Sequence, residues 1–161
     1  MIVGAPRSGT TWLAKIIDSH PDVLYRHEPD DVCPQPLPIA PSDIPRVLAR
    51  WAAGRAPRAA AKRPFFPKSY QSAWQWRARP LIAGAISAAA RLPPPLRHVG
   101  GFPVPDMLKR PAPRLAIKSI RLAEDTAAFA SALPECRVIF MLRHPCGQIA
   151  SIIDGARRRR F

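Results

Sequence analysis

Residues 1–13 read MIVGAPRSGTTWL, and this stretch decides the fold. Ile2-Val3 predicts a short strand, and periodic hydrophobic residues predict a helix over residues 11–19. Between them, Gly4 and Gly9 enclose four residues, which is the outline of a loop that binds phosphate at a helix N-terminus. A strand, a glycine-rich loop and a helix in this order predict an α/β fold, in which helices flank a parallel β-sheet of P-loop type.

The loop differs from that of nucleotide-hydrolysing proteins in where its cation lies. In those proteins a lysine follows the second glycine and reaches the β- and γ-phosphates, and the next hydroxyl holds magnesium. Here Thr10 stands in the place of that lysine, and the cation is Arg7, within the loop. No acid directly follows the predicted strand 137–142, where a magnesium-binding aspartate would stand. A nucleotide kinase or NTPase is therefore a lower alternative.

Three further strands are predicted downstream. Residues 22–25 form the second and residues 115–118 the third, and residues 137–142, which are hydrophobic from Val138 to Leu142, predict a central strand buried on both faces. Glu28 follows the second strand closely, and Arg143 follows the last. Because ligands of open parallel sheets bind at the C-terminal ends of the strands, we expect the functional site there.

The middle of the chain, residues 29–114, has an unusual composition. It holds 17 of the 21 prolines and 14 of the 25 lysines and arginines. So many prolines argue against a regular core, and we predict an insertion or a mobile lid with one helix at 73–92. The formal charge of +14 favours anionic ligands, nucleic acids or a membrane surface without choosing among them. Trp74 and Trp76 lie among basic residues as in a nucleic-acid groove, but we favour packing of the lid helix or contact with a substrate, and expect no nucleic-acid partner.

The cysteines and the hydrophobic runs indicate in which cellular compartment we expect the protein. The three cysteines are too few and too scattered for a disulfide framework or a zinc site, so we expect a reducing compartment and no metal. The chain begins with a strand pattern rather than a signal peptide. Its longest hydrophobic run, residues 81–90, is about half the length of a transmembrane helix. We therefore expect a cytoplasmic protein without a membrane partner, and the oligomeric state stays open.

Residues 6–12, PRSGTTW, resemble the phosphosulfate-binding loop of the sulfotransferase family, whose pattern is Pro, then Lys or Arg, then Ser-Gly-Thr-Thr-Trp. The donor of that family is 3′-phosphoadenosine 5′-phosphosulfate (PAPS), which has no γ-phosphate and needs no metal. The resemblance therefore implies a PAPS site, and it explains why no lysine follows Gly9.

A second signature of the family lies near the end of the chain. In the family an arginine ends a buried strand, a serine follows at a fixed spacing, and together they hold the 3′-phosphate. Arg143 and Ser151 reproduce that spacing of eight residues. The pairing is physically sensible, because a guanidinium from a strand end and a hydroxyl from the next helix can grip one dianion.

The resemblance assigns donor binding to Arg7, Ser8, Gly9, Thr10, Thr11, Trp12, Arg143 and Ser151. Within this set the two threonines would bind the 5′-phosphate, and Trp12 would stack on adenine. Arg7 would also stabilise the charge that grows on the leaving phosphate, and Lys118 would reach the same region.

Two residues are candidates for the catalytic base. Cytosolic members of the family use a histidine two residues after a lysine on the third strand, but Ile120 stands two residues after Lys118. Carbohydrate-type and some bacterial members use a glutamate after the second strand, often followed by proline, and Glu28-Pro29 matches that pattern. We assign Glu28 as the base and keep His27 as the alternative, since neighbouring residues on a strand point to opposite sides.

The family domain normally continues past the 3′-phosphate helix, so we expect residues 1–161 to be a single, partial domain truncated at its C-terminus. The predicted reaction is metal-independent, in-line transfer of a sulfuryl group to a hydroxyl or amine of a small-molecule or carbohydrate acceptor. The alternative is an inactive remnant that only binds adenosine 3′,5′-bisphosphate. The identity of the acceptor stays open.

Overall fold

The computed structural model of the protein describes residues 1–91, 93 and 102–158. Its strands are β1 (Ile2–Gly4), β2 (Val23–His27), β3 (Arg114–Ser119) and β4 (Ile139–Met141). They form one parallel sheet in the order β2-β3-β1-β4, so their C-terminal ends meet at one edge. The predicted α/β fold, a parallel sheet flanked by helices, is confirmed.

The helices are α1 (Thr10–Asp18), α2 (Pro29–Val32), α3 (Ile44–Ala53), α4 (Pro57–Ala60), α5 (Ala73–Ala89), α6 (Thr126–Ala132) and α7 (Pro145–Arg157), with a short 3₁₀ turn at Pro41–Asp43. The helix predicted at 73–92 is α5, which ends at Ala89, and Leu92 lies outside the described residues. Within the described ranges, no helix has both the length and the apolar character needed to cross a lipid bilayer.

Helices cover both faces of the sheet, because alternate strand residues point to opposite sides. On one face Ile2 and Tyr25 pack with residues of α1. On the other face Val3 belongs to a cluster that includes residues of α3 and α6. There the rings of Trp51 and Phe129 stack with their centroids 6.1 Å apart. The sheet is thus the middle layer of three.

The middle segment contributes to the core, so the prediction that it lacks one is wrong for α3. Ile44, Val47 and Trp51 are buried in the cluster that α6 shares. Their spacing of three and four residues is that of an amphipathic helix. Pro45 does not interrupt this helix, because it lies in the first turn, where a proline is tolerated. The assignment of residues 29–114 as an insertion or lid stays a prediction.

A buried ion pair ties the segment 102–109 to β2. Arg26 is fully buried and donates from Nη1 and Nη2 to the two carboxylate oxygens of Asp106, at 2.9 and 2.6 Å. Nε and Nη2 of Arg26 also donate to the carbonyl of Ala52 in α3. One side chain therefore connects β2, α3 and the segment after the undescribed residues.

β4 lies at the edge of the sheet, and the prediction of a central strand buried on both faces is wrong. β1 is central instead, since it pairs with β3 on one side and with β4 on the other. Phe140 is 49% exposed and Leu142 is 83% exposed. No described strand pairs with the outer side of β4. A hydrophobic run predicts a buried strand, but it carries no information about strand order.

Candidate functional site

The predicted loop connects β1 to α1 at the C-terminal edge of the sheet. Arg7 (φ 65°) and Gly9 (φ 96°) both adopt the left-handed backbone region, so the chain turns sharply. Gly4 leaves no room for a side chain, because an added Cβ would lie 2.6 Å from the carbonyl oxygen of Met141. The loop is therefore held against β4. The first N–H groups of α1 have no intrahelical partners, which makes this end of the helix suitable for an anion.

The two sequence signatures are in direct contact, although they lie 144 positions apart. Arg7 Nε donates to Ser151 Oγ at 3.0 Å, and Arg143 Nη1 donates to the carbonyl oxygen of Arg7 at 2.9 Å. Gly147 on α7 permits this arrangement, since a Cβ there would lie 3.3 Å from Arg143 Nε. The role of Gly147 was not predicted from the sequence.

These residues line a cleft of about 650 Å³, which we call the donor cleft; its lining residues are Pro6, Arg7, Gly9, Thr10, Thr11, Trp12, Lys15, His27, Glu28, Lys62, Lys118, Ile120, Arg143 and Ser151. Its volume lies within the range of roughly 300–1,000 Å³ that is usual for small-molecule sites. Every predicted site residue except Ser8 lines this cleft. The structure thus brings the predicted base and the predicted donor-binding residues to one place.

Ser8 and Trp12 have contrasting surroundings. The hydroxyl of Ser8 is buried, and it has no hydrogen-bond partner among the described residues. It lies close to the backbone of β1, because a Cβ added to Gly4 would approach it to 3.0 Å. Trp12 is 70% exposed on the first turn of α1, so its ring is accessible to a flat ligand. The assigned contacts of both residues with the donor stay predictions.

Glu28 and Lys118 form a buried ion pair in the donor cleft. β2 ends at His27, and Glu28 then adopts the left-handed region (φ 44°, ψ 55°), which turns its side chain into the cleft. The backbone N–H of Glu28 donates to the carbonyl of Lys118 at 2.7 Å, and the Lys118 ammonium binds Glu28 Oε1. In this structure Lys118 therefore orients the predicted base. Its assigned role near the leaving phosphate stays a prediction.

His27 lines the same cleft as Glu28, so the expectation that the two point to opposite sides is wrong. Strand alternation stops at His27, because the left-handed residue that follows breaks the extended geometry. His27 Nδ1 lies 2.7 Å from Tyr25 Oη, and its Nε2 lies 3.7 Å from Glu28 Oε2. Burial lowers the pKa of His27 to about 4, so its imidazole is neutral at neutral pH.

Tyr25 and Glu28 are the polar neighbours of the His27 imidazole. Burial raises the pKa of Tyr25 well above its ordinary value, so the phenol keeps its proton. The phenol can donate to Nδ1 or accept from it, depending on the imidazole tautomer, so Nδ1 is engaged by Tyr25 in either case. Nε2 carries the free lone pair only in the tautomer that has its hydrogen on Nδ1.

Lys15 is a site residue that the sequence reasoning missed. It lines the donor cleft from α1, binds Asp18 and donates to the carbonyl of Lys62 at 3.1 Å. Its ammonium lies 5.1 Å from the centroid of the Tyr25 ring, and burial lowers its pKa. Its position four residues after Thr11 puts both on one helix face, and that spacing could have indicated it.

No group of three or more His, Cys, Asp or Glu side chains in the described part of the chain is arranged to hold a metal ion. The predicted metal independence of the reaction stays a prediction.

Comparison with known protein families covers nearly the whole chain. A family model described as "Sulfotransferase family" matches residues 1–158, so that both signatures and the proline-rich middle fall within the match. Comparisons with curated proteins and with solved structures gave no significant match.

Proposed function

The chain belongs to the sulfotransferase family, and on that premise we propose that it transfers a sulfuryl group from PAPS to a hydroxyl of a small-molecule or carbohydrate acceptor. The observation that carries the proposal is the contact of Arg7 with Ser151 and Arg143. Through it, both family signatures line one cleft together with Glu28.

The donor cleft suits an anionic nucleotide. Five lysines and arginines line it against a single acid (Arg7, Lys15, Lys62, Lys118, Arg143 and Glu28). The N-terminus of α1 adds N–H groups without intrahelical partners, which favour a phosphate. When bound, PAPS would supply the sulfuryl group and leave as the bisphosphate. We assign Arg7, beside the helix N-terminus, to the stabilisation of negative charge on the leaving side.

Glu28 fits the role of base better than His27. A base needs a lone pair directed at the acceptor hydroxyl, and Nδ1 of His27 is already engaged with Tyr25 Oη at 2.7 Å. Glu28 Oε1 is held by Lys118, whereas Oε2 lies 3.7 Å from His27 and 3.9 Å from Arg58, beyond hydrogen-bond distance from both. We therefore assign the proton of the acceptor hydroxyl to Glu28 Oε2, with Lys118 keeping the carboxylate in position.

The test is transfer of radioactive sulfur from labelled PAPS to sugars and phenols, in EDTA, by the wild type, Glu28→Gln and His27→Gln. Loss of general-base catalysis should lower kcat of Glu28→Gln by about 10²- to 10⁴-fold. The affinity for adenosine 3′,5′-bisphosphate should be retained in that variant. His27→Gln should keep most of its activity, because its glutamine can still contact Tyr25 and Glu28.

Each unfavourable outcome has a distinct meaning, once circular dichroism has shown the variants to be folded. If His27→Gln loses as much activity as Glu28→Gln, the base assignment is wrong. If the wild type binds the bisphosphate and transfers nothing, the protein is the inactive binder of the alternative reading. Activity that requires added magnesium would favour a nucleotide kinase or NTPase.

A further inference from the structure

A second cavity opens beside Glu28. It has a volume of about 310 Å³ and is lined by His27, Glu28, Pro57, Arg58, Ala61 and Lys62; we call it the side pocket. His27, Glu28 and Lys62 also line the donor cleft. Glu28 therefore faces both spaces. A molecule in the side pocket would be in reach of the base while the donor cleft is filled.

The helix α4 and the residues after it supply the wall of the side pocket that faces Glu28. Pro57 and Ala61 give this wall an apolar strip, and Arg58 and Lys62, four positions apart, give it a cationic strip. Buried cations fix its backbone: Arg79 Nη2 donates to the carbonyl of Ala60 at 2.9 Å, and a lysine of α1 donates to that of Lys62. The wall is thus a built surface rather than a loose loop.

The charges of the side pocket are unbalanced. Arg58 pairs with Asp31 at 2.7 Å, and Glu28 is neutralised by Lys118. The ammonium of Lys62 has neither an ion pair nor a hydrogen bond with any described residue, although its backbone carbonyl is bonded. An exposed, unpaired cation at the edge of a small cavity attracts anions.

We propose that the side pocket binds the acceptor and selects small hydroxyl compounds that carry a carboxylate, sulfate or phosphate group, which Lys62 recognises. This proposal rests on the proposed function. The anionic group lies on Lys62, with Arg58 next to it, and the hydroxyl lies at Glu28 Oε2. The volume is at the lower end of the range for small-molecule sites, so the pocket holds a small acceptor or one end of a longer one.

The experiment compares acceptors that keep the same hydroxyl groups and differ in charge: 4-hydroxyphenylacetate with its amide, and glucuronate with its amide. kcat/KM for sulfuryl transfer is measured for the wild type, Lys62→Gln and Lys62→Glu. The matched control is Lys109→Glu, which makes the same charge change at an exposed lysine that lines neither cavity. Dissociation constants for adenosine 3′,5′-bisphosphate are measured in parallel.

We expect the wild type to prefer the charged member of each pair by roughly fivefold, the effect of one partly exposed ion pair. Lys62→Gln should abolish the preference, Lys62→Glu should reverse it, and Lys109→Glu should leave it unchanged. Lys62 also lines the donor cleft, so its variants can lower bisphosphate affinity, but such a loss acts equally on both members of an acceptor pair and leaves their ratio unaffected.

Equal kcat/KM for charged and neutral acceptors, or a preference that survives Lys62→Glu, would overturn the proposal while sulfuryl transfer itself stands. If no acceptor turns over, calorimetric titration of the same four compounds into the protein saturated with bisphosphate decides the question. Preferential binding of the charged compounds that is lost in Lys62→Glu supports the side pocket even then, and equal or absent binding refutes it. Failure of the proposed function appears separately, as absence of transfer to every acceptor, whether or not the bisphosphate binds.

Discussion

Replacement of Asp106 by asparagine should destabilise the protein strongly. Arg26 is fully buried, and its two closest anionic atoms are the Asp106 oxygens, at 2.9 and 2.6 Å. Asparagine keeps the shape but leaves the guanidinium without a counter-charge, and removal of one partner from a buried pair costs about 3–5 kcal/mol. Two further arginines, Arg55 and Arg79, lie 3.7 and 3.6 Å from the same carboxylate, which adds to the loss. A total stability of about 5–15 kcal/mol leaves little margin.

The assay is urea denaturation near neutral pH, followed by tryptophan fluorescence, because unfolding exposes the buried Trp51 to water. The matched control is Asp43→Asn, which breaks the exposed pair with Arg46, at 2.7 Å, and should cost less than about 1 kcal/mol. If Asp106→Asn loses no more free energy of unfolding than Asp43→Asn, the reasoning is refuted, and residues 102–109 are not packed against β2 as described. A large loss would show that the proline-rich middle is part of the cooperative unit.

Three further predictions concern the sheet edge and the donor cleft. The pKa of His27 falls from 6.5 to about 4 on folding, so between these pH values the unfolded chain binds one proton more than the folded chain. The free energy of unfolding should therefore fall by roughly 3 kcal/mol as the pH decreases through this window. The free energies of unfolding from urea curves at about pH 7 and about pH 4 should differ less for His27→Gln than for the wild type, and equal differences would contradict the argument. Ser151→Ala should weaken adenosine 3′,5′-bisphosphate binding by about three- to tenfold in calorimetric titration, whereas Ser87→Ala, whose hydroxyl is bonded within α5, should have no effect. Gly4→Ala should destabilise the protein by about 1–3 kcal/mol, because the new Cβ would lie 2.6 Å from the carbonyl oxygen of Met141; an unchanged Tm would show that β4 does not pair with β1 as described.

Local sequence patterns were enough to predict the elements that carry the site. The strand at Ile2-Val3, the loop that follows it and the helix after the loop form a contiguous unit, so their geometry depends on short-range interactions. Arg143 and Ser151 were assigned by the resemblance to a family, whose spacing of eight residues they reproduce. Their contact with Arg7 is long-range, and only the resemblance to a family indicated it, since hydrophobic periodicity does not reveal which strands are neighbours.

The features that were missed depend on tertiary structure. β4 was predicted to be central because its hydrophobic run is typical of a buried strand, but β1 occupies the centre. The orientation of the Glu28 side chain depends on the left-handed backbone of Glu28 itself, and hydrophobic periodicity does not predict such a conformation. Lys62 lies at the site because it follows α4, a four-residue helix that packs beside the cleft. The many prolines of the same segment argued against a regular core, although α3 has buried residues.

The first measurement to make is calorimetric titration of the protein with adenosine 3′,5′-bisphosphate in EDTA, with Arg143→Ala and the exposed control Arg46→Ala. We expect metal-free binding that Arg143→Ala weakens by roughly 10- to 100-fold, the effect of one charged hydrogen bond to a phosphate, and that Arg46→Ala leaves unchanged. Folded protein that binds no bisphosphate, or binds it equally well without Arg143, would contradict the assignment of the cleft as a donor site.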